Sequence, residues 1–336
     1  MYGRPGLLGS GRDGSCAGQT RRLYLVAEKI PARSAGLPPA QSRRLYLGGW
    51  PHTAERPPAG AGPIRSITSL PSAPYSPTHP AGLASPASGP DKGTTMKFDG
   101  IFFDSGDTIY NNASLGPIAE PTPAQVNSAA PARTAAALNA LGYMAREEDV
   151  ARQLAALKGP TRDRWGDGYN EEKLVEALCQ TLELPTGPEE ILYLTGAFSG
   201  PRYRSWLFPH IDPVLVQLQA AGLYLGLIAN THVPGWVMDR NFKGVGLLSF
   251  FRTRIYSGDE GVAKPDPAIF HLAAERAGLT NANLLYVGNN VAADIEGARR
   301  ADWQAALLRS TDSSSGGQAH FEFDDWHQLP AFALGS

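Results

Sequence analysis

From Met96 onward short apolar runs alternate with amphipathic stretches, and this alternation restricts the fold more than any other feature of the chain. Strands that alternate with helical patterns argue for βα units around a parallel sheet, an α/β class with helices on both faces. Residues 100–103, 224–229, 254–256, 284–287 and 305–308 read as its core strands. The first run, Ile101-Phe102-Phe103, ends in Asp104 and a tight polar turn, Ser105-Gly106-Asp107-Thr108. A buried strand that stops this way delivers a carboxylate to the sheet edge. In open α/β sheets, ligands bind at the carboxyl ends of the strands, near the point where strand order reverses. Asp104, Asn230, Lys264, Asn289 and Asp294 all follow strands or lie in the next loops, so a reaction centre is expected there.

More than a hundred residues separate the first two strands, far beyond an ordinary βα connection. Helical patterns at 122–141, 146–158, 170–184 and 188–198, punctuated by Gly142, Gly159 and Gly187, predict a small all-α insertion. Pro131 is expected to break or kink the first of these. Ahead of the second strand, Asp212 as N-cap, Pro213 at the first helical position and Gly222 beyond the end predict another helix. Asp266 and Pro267 open a further one that stops at Gly278.

Composition divides the chain near residue 95. Residues 1–95 hold eleven basic side chains against four acids, which leaves 19 and 28 for residues 96–336. This basic, Pro/Gly/Ser/Ala-rich leader lacks sustained apolar periodicity and reads as disordered. Within it Gln19-Thr20-Arg21-Arg22-Leu23-Tyr24-Leu25 recurs nearly unchanged as Gln41-Ser42-Arg43-Arg44-Leu45-Tyr46-Leu47, but a solenoid needs at least about three repeats. An upstream extension before a true start at Met96, a targeting segment and a basic tail are its three readings. Its cations are spread out, so no nucleic acid is expected as partner. No run approaches the roughly 18 apolar residues of a membrane span. Cys16 and Cys179 make no metal or redox pattern, and a cytoplasmic protein is the expectation.

Four segments in order carry a resemblance: Ile101–Thr108 around Asp104, Leu225-Gly226-Leu227-Ile228-Ala229-Asn230, Lys264-Pro265-Asp266-Pro267, and Gly288-Asn289-Asn290 with Asp294 beyond. They resemble the haloacid dehalogenase (HAD) superfamily from about Met96 to the C-terminus. The resemblance implies a Rossmann-like three-layer core, residues 96–111 and 207–336, with a C1-type helical cap at 112–206. It further implies a hydrolase acting on a small phosphorylated metabolite through an aspartyl-phosphate intermediate. Asp104 is then the nucleophile, Lys264 the cation that neutralises it and the transferring group, and Thr108 and Asn230 substrate-side residues. Mg²⁺ is implied as cofactor, on Asp104, the peptide oxygen of Gly106, Asn289 and Asp294.

Three positions depart from the family pattern. Gly106 stands where phosphatases of the family carry a second Asp for acid–base work, whose loss typically costs about 10²–10⁴ in rate. Asp107, one place on, reads as a turn residue. Ala229 lacks the usual hydroxyl, and Asn289 replaces a carboxylate, so the metal site is expected to be weakened. His232 reads as surface or packing, with a base as its sharper alternative. Two rival readings follow: a slow or inactive descendant that binds a phosphorylated ligand or a protein, and a metal-independent dehalogenase or phosphonatase-like hydrolase, for which Lys158 or Lys173 would form a Schiff base. Arg133, Lys158, Arg162, Arg164, Arg202 and Arg204, with Trp165, Tyr169 and Tyr203, are the insertion residues able to meet an anion.

Overall fold

The chain is described from a computed structural model, at residues 97–112, 120–280, 282–309 and 314–335. The leader, its repeat and its expected disorder lie outside these residues. All the described residues belong to one compact unit.

Six strands form the sheet: β1 (Gly100–Phe103), β2 (Tyr224–Ala229), β3 (Thr253–Tyr256), β4 (Leu284–Gly288), β5 (Gln304–Leu308) and β6 (Phe321–Phe323). Their order is β3-β2-β1-β4-β5-β6, parallel at every pairing. The five predicted strands are all present to within a residue at either end. The sixth was not predicted, because three residues at a sheet edge are too few to show a period.

Side chains alternate across the sheet with period two. Ile101, Phe103, Leu227 and Val287 face α6 (Ile211–Ala220), α7 (Gly235–Gly244) and α11 (Gln328–Leu334). Phe102, Ile228, Tyr286 and Leu307 face α9 (Pro267–Ala277) and α10 (Glu296–Arg300). Each large apolar side chain buried this way stabilises by roughly 1.5–3 kcal/mol relative to exposure, so both helical layers are held by packing. The chain runs from β1 outward through β2 to β3 and then crosses to the other side of β1 for β4. The reversal of strand order therefore falls at the end of β1, where Asp104 stands.

Between β1 and β2 lie α1 (Pro123–Ser128), α2 (Ala130–Ala140), α3 (Glu147–Trp165), α4 (Glu171–Thr181) and α5 (Pro188–Ser199). They enclose an apolar cluster of their own, including Leu138, Val150, Leu174, Leu178 and Leu194. The first predicted helix is two, with Pro131 in the opening turn of α2. α3 does not end at Gly159 as predicted: it runs through Pro160 to Trp165, and Thr161 beyond the proline is buried. Packing there outweighs the backbone bond that Pro160 forfeits. Asp212 is not an N-cap. α6 begins two residues earlier than predicted, after a left-handed His210, because the buried Ile211 belongs to its first turn while the Asp212 carboxylate accepts from Arg204 at 2.8 Å. Asp266 caps α9 as expected, accepting from Ala268 N–H, and Gly278 ends it.

α8 (Ser257–Glu260) follows β3, and the loop after it carries Lys264. The insertion meets the core at the loop after β2 and the start of α7: Glu171 N–H donates to His232 C=O, and Trp236 Nε1–H donates to Glu172. None of the helices among the described residues is long and apolar enough to cross a membrane.

Candidate active site

The site is built around one buried ammonium group. Lys264 Nζ donates to Asp104 Oδ1 at 2.7 Å, to Asp294 Oδ1 at 2.7 Å and to Tyr286 Oη at 2.6 Å. An ammonium has three protons, so all are used. Tyr286 Oη–H in turn donates to the Ile228 carbonyl at 2.7 Å. Asn230 secures the backbone of the same lysine from both directions, since its Nδ2 donates to Lys264 C=O at 2.8 Å and its Oδ1 accepts from Lys264 N–H at 2.9 Å. Three loops, after β1, β2 and β4, are thereby tied to a fourth.

Asp104 continues β1, its N–H bonded to Val287 C=O at 2.9 Å. Burial pushes its carboxyl up to about 6, while Lys264 acts in the opposite direction and Asp294 adds to the rise. For Lys264 burial alone would lower the pKa. The two carboxylates more than reverse that and hold it above its ordinary value, so the group stays an ammonium.

Asp294 sits in a single π-helical turn, Val291–Ile295, that opens on the Asn290 side chain as cap. Such turns recur at functional sites because they re-aim a side chain. Here the turn brings Asp294 Oδ2 back to the N–H groups of Asn289 and Asn290, at 3.1 and 2.9 Å. A Cβ on Gly288 would lie 2.4 Å from the Asp294 carboxyl carbon, so the close approach requires glycine.

Thr108 is fully buried and its hydroxyl donates to Asn289 Oδ1 at 3.3 Å, tying the loops after β1 and β4. Asp107 adopts a left-handed conformation and accepts from Asn112 N–H at 2.7 Å, as a turn residue does. At Gly106 an added Cβ would meet only the side-chain amide of Asn112, at 2.9 Å, and that flexible end can move.

Mg²⁺ takes hard oxygen ligands in octahedral geometry, usually with carboxylate charge. Among the described residues no three His, Cys, Asp or Glu come together. Both carboxylates present already meet Lys264, and Asp294 has its second oxygen on two amides. What remains for a cation is one lysine-paired carboxylate, the neutral Asn289 and peptide oxygen. This donor set carries less charge than Mg²⁺ usually meets, which makes it a poor resident site.

His232 lies apart from the cluster: Arg162 Nη2 is 3.2 Å from its Nε2, and Tyr169 packs edge-on at 5.0 Å. Burial and the cation beside it hold its pKa below the usual imidazole value. Lys173 donates to the Gly168 carbonyl and lies over the Trp165 ring, and Lys158 is exposed. Of the insertion arginines, Arg133 is used on three backbone carbonyls and Arg204 on Val245 C=O and Asp212. Arg202 differs. Its guanidinium stands 5.0 Å over the Tyr110 ring and, among the described residues, has no hydrogen-bond or ion-pair partner. Burial lowers its pKa, and Tyr110, Glu171, Asp104 and Asp107 are the groups that face it.

Two of these residues escaped sequence reasoning. Tyr286 read as one more apolar position of a core strand, although a buried tyrosine hydroxyl needs a partner and that was the available signal. Arg202 was one cation among six.

Comparison with known proteins bears on the same residues. A family model described as haloacid dehalogenase-like hydrolase matches residues 98–302. The phosphoserine phosphatase of Thermus thermophilus is 33% identical over 184 residues, 52% of this chain and 69% of that protein. The glyceraldehyde 3-phosphate phosphatase of Methanopyrus kandleri is 29% identical over 145 residues, 42% of this chain and 60% of that protein, so less than two thirds of its length is spanned. A HAD phosphatase structure from Thermococcus onnurineus is 22% identical with a TM-score of 0.45, covering 70% of this chain and 97% of that one.

Proposed function

The chain belongs to the haloacid dehalogenase-like hydrolase family, and we propose that it is a phosphatase-type enzyme of small phosphorylated metabolites that works through Asp104. The observation that carries this reading is the buried Lys264 ammonium fixed between Asp104 and Asp294 at the strand-order reversal. Isolated, a buried carboxylate would take up a proton. Beside Lys264 it is kept available as a nucleophile.

In the proposed reaction an Asp104 oxygen attacks phosphorus, the bond to the leaving oxygen breaks, and an aspartyl phosphate forms. The departing oxygen takes its proton from water, because Gly106 offers none. Water then cleaves the acyl phosphate and regenerates Asp104. Lys264 supplies charge against the anionic groups. Its three protons are already placed on protein acceptors, so it acts through the field and through small shifts of those bonds. Tyr286, Asn230 and Asp294 are positioning residues for Lys264, and Thr108 and Asn289 join the two flanking loops. The insertion, residues 112–206, is read as a cap over the core, 96–111 and 207–336, whose closure would exclude water. The two relatives, phosphatases of phosphoserine and of glyceraldehyde 3-phosphate, support a small phosphorylated substrate. The enzyme is read as cytoplasmic, with at most a weak response to Mg²⁺.

A panel of small phosphate esters, assayed with and without Mg²⁺ on the parent chain and on Asp104→Asn, tests the reading. Slow turnover of at least one ester, abolished in the variant, is expected. Activity that survives Asp104→Asn would remove the nucleophile and the mechanism together. Gly106, Ala229 and Asn289 favour one second reading, ligand binding without turnover. It takes over if phosphorylated ligands bind in a Lys264-dependent way and none is hydrolysed.

A further inference from the structure

Residues 201–208, which return the chain from the insertion to the core, are fastened to the nucleophile loop by main-chain bonds. Phe208 N–H donates to Ile109 C=O at 3.0 Å, Asn111 N–H donates to Trp206 C=O at 2.7 Å, and Tyr110 pairs antiparallel with Leu207. Arg202 is carried on this segment, and its position relative to Asp104 is set by the backbone and by the ring of Tyr110 beneath it. A guanidinium is a rigid fork of five donors suited to a carboxylate or phosphate. This one is half-buried, and among the described residues no acceptor hydrogen-bonds to it, although the Glu171, Asp104 and Asp107 carboxylates face it without closing a bond.

The direction of the reaction says which anion it meets. In an in-line displacement the leaving group departs on the side opposite the attacking oxygen. Lys264 and Tyr286 close the sheet side of Asp104, so the leaving group extends toward the insertion, where Arg202 stands. Resting on the hydrolase reading above, we propose that Arg202 is a specificity residue that binds a carboxylate on the leaving-group part of the substrate, making the substrates phosphorylated small acids.

The test uses two esters that differ only in that group, phosphoglycolate and 2-hydroxyethyl phosphate, with the full chain, Arg202→Met and Arg202→Lys. Methionine keeps the packing on Tyr110 and removes the charge. The parent is expected to favour phosphoglycolate in kcat/KM. Arg202→Met should raise KM for phosphoglycolate on the order of 10- to 100-fold, the worth of a charge-assisted hydrogen bond, and change 2-hydroxyethyl phosphate by a much smaller factor. Arg202→Lys should recover part of the loss. Equal losses for both esters would overturn the proposal, since Arg202 would then serve the phosphoryl group or the fold, and so would no change for either. If the parent hydrolyses neither ester, the wider ester panel decides the hydrolase reading separately, and calorimetric binding of phosphoglycolate decides the subsite: a Kd that rises in Arg202→Met supports it, and equal Kd values overturn it.

Discussion

On the sheet side of Asp104, Lys264 places its protons on Asp104, Asp294 and Tyr286, Tyr286 passes its own to Ile228, and Asn230 secures the lysine backbone. On the insertion side, the Arg202 guanidinium and the buried Tyr110 hydroxyl have no hydrogen-bond partner among the described residues. A buried polar group left unanswered costs about 1–3 kcal/mol, so folding alone favours the first arrangement. The contrast separates two tasks. The sheet side is completed when the protein folds and fixes Asp104; the insertion side leaves donors without a hydrogen-bond partner among the described residues, and these are the donors assigned by proposal to a ligand.

Removing the centre of the completed side should have the largest effect on stability. Lys264→Met leaves Asp104 and Asp294 buried without their counter-charge, and a loss of roughly 3–5 kcal/mol is expected in denaturant unfolding. A loss below about 1 kcal/mol would mean that water reaches the carboxylates and that Lys264, Asp104 and Asp294 are not the buried unit described. Tyr286→Phe is a smaller cut. It removes one acceptor of Lys264 and the donor to Ile228 C=O, and about 1–3 kcal/mol should be lost by the same measurement. On the other side, Arg202→Met should cost less than Tyr286→Phe, roughly 1 kcal/mol or below, because no hydrogen bond is abandoned and Glu171 keeps another cation that faces it, Arg133. A destabilisation like that of Tyr286→Phe would erase the contrast and make Arg202 a structural residue.

How far each side could be read from the sequence follows the same division. Asp104 and Lys264 were legible because each stands at a change of pattern, an apolar run ending in an acid and a lysine ahead of a capped helix. Asp294 was legible as an acid, but its bonds to Asn289 and Asn290 depend on the π-helical turn, which has no composition signature. Thr108 and Asn230 were placed on the substrate side. Within the protein their polar atoms meet Asn289 and the Lys264 backbone, through contacts between residues 181 and 34 positions apart that no local pattern shows. Tyr286 was hidden by the strand period, which sorts residues by face and says nothing of what a hydroxyl reaches. Arg202 was hidden for a different reason: six cations in the insertion look alike until five are seen to be exposed or engaged elsewhere. Local signals misled at α6 and α3, where burial of Ile211 and Thr161 prevailed over cap and breaker residues.

The central claim is that Asp104 becomes covalently phosphorylated, and Gly106 makes that claim directly measurable. Nothing at that position activates the water that must cleave the acyl phosphate, so with a good leaving group the first step should outrun the second. With p-nitrophenyl phosphate in rapid-quench mixing, a burst of close to one equivalent of nitrophenolate per chain is expected, followed by slow release. The quenched protein should carry the phosphoryl group on Asp104 by peptide mass analysis, and Asp104→Asn should show neither burst nor adduct. Turnover without a burst and without an adduct on Asp104, or an adduct on another residue, would contradict the account.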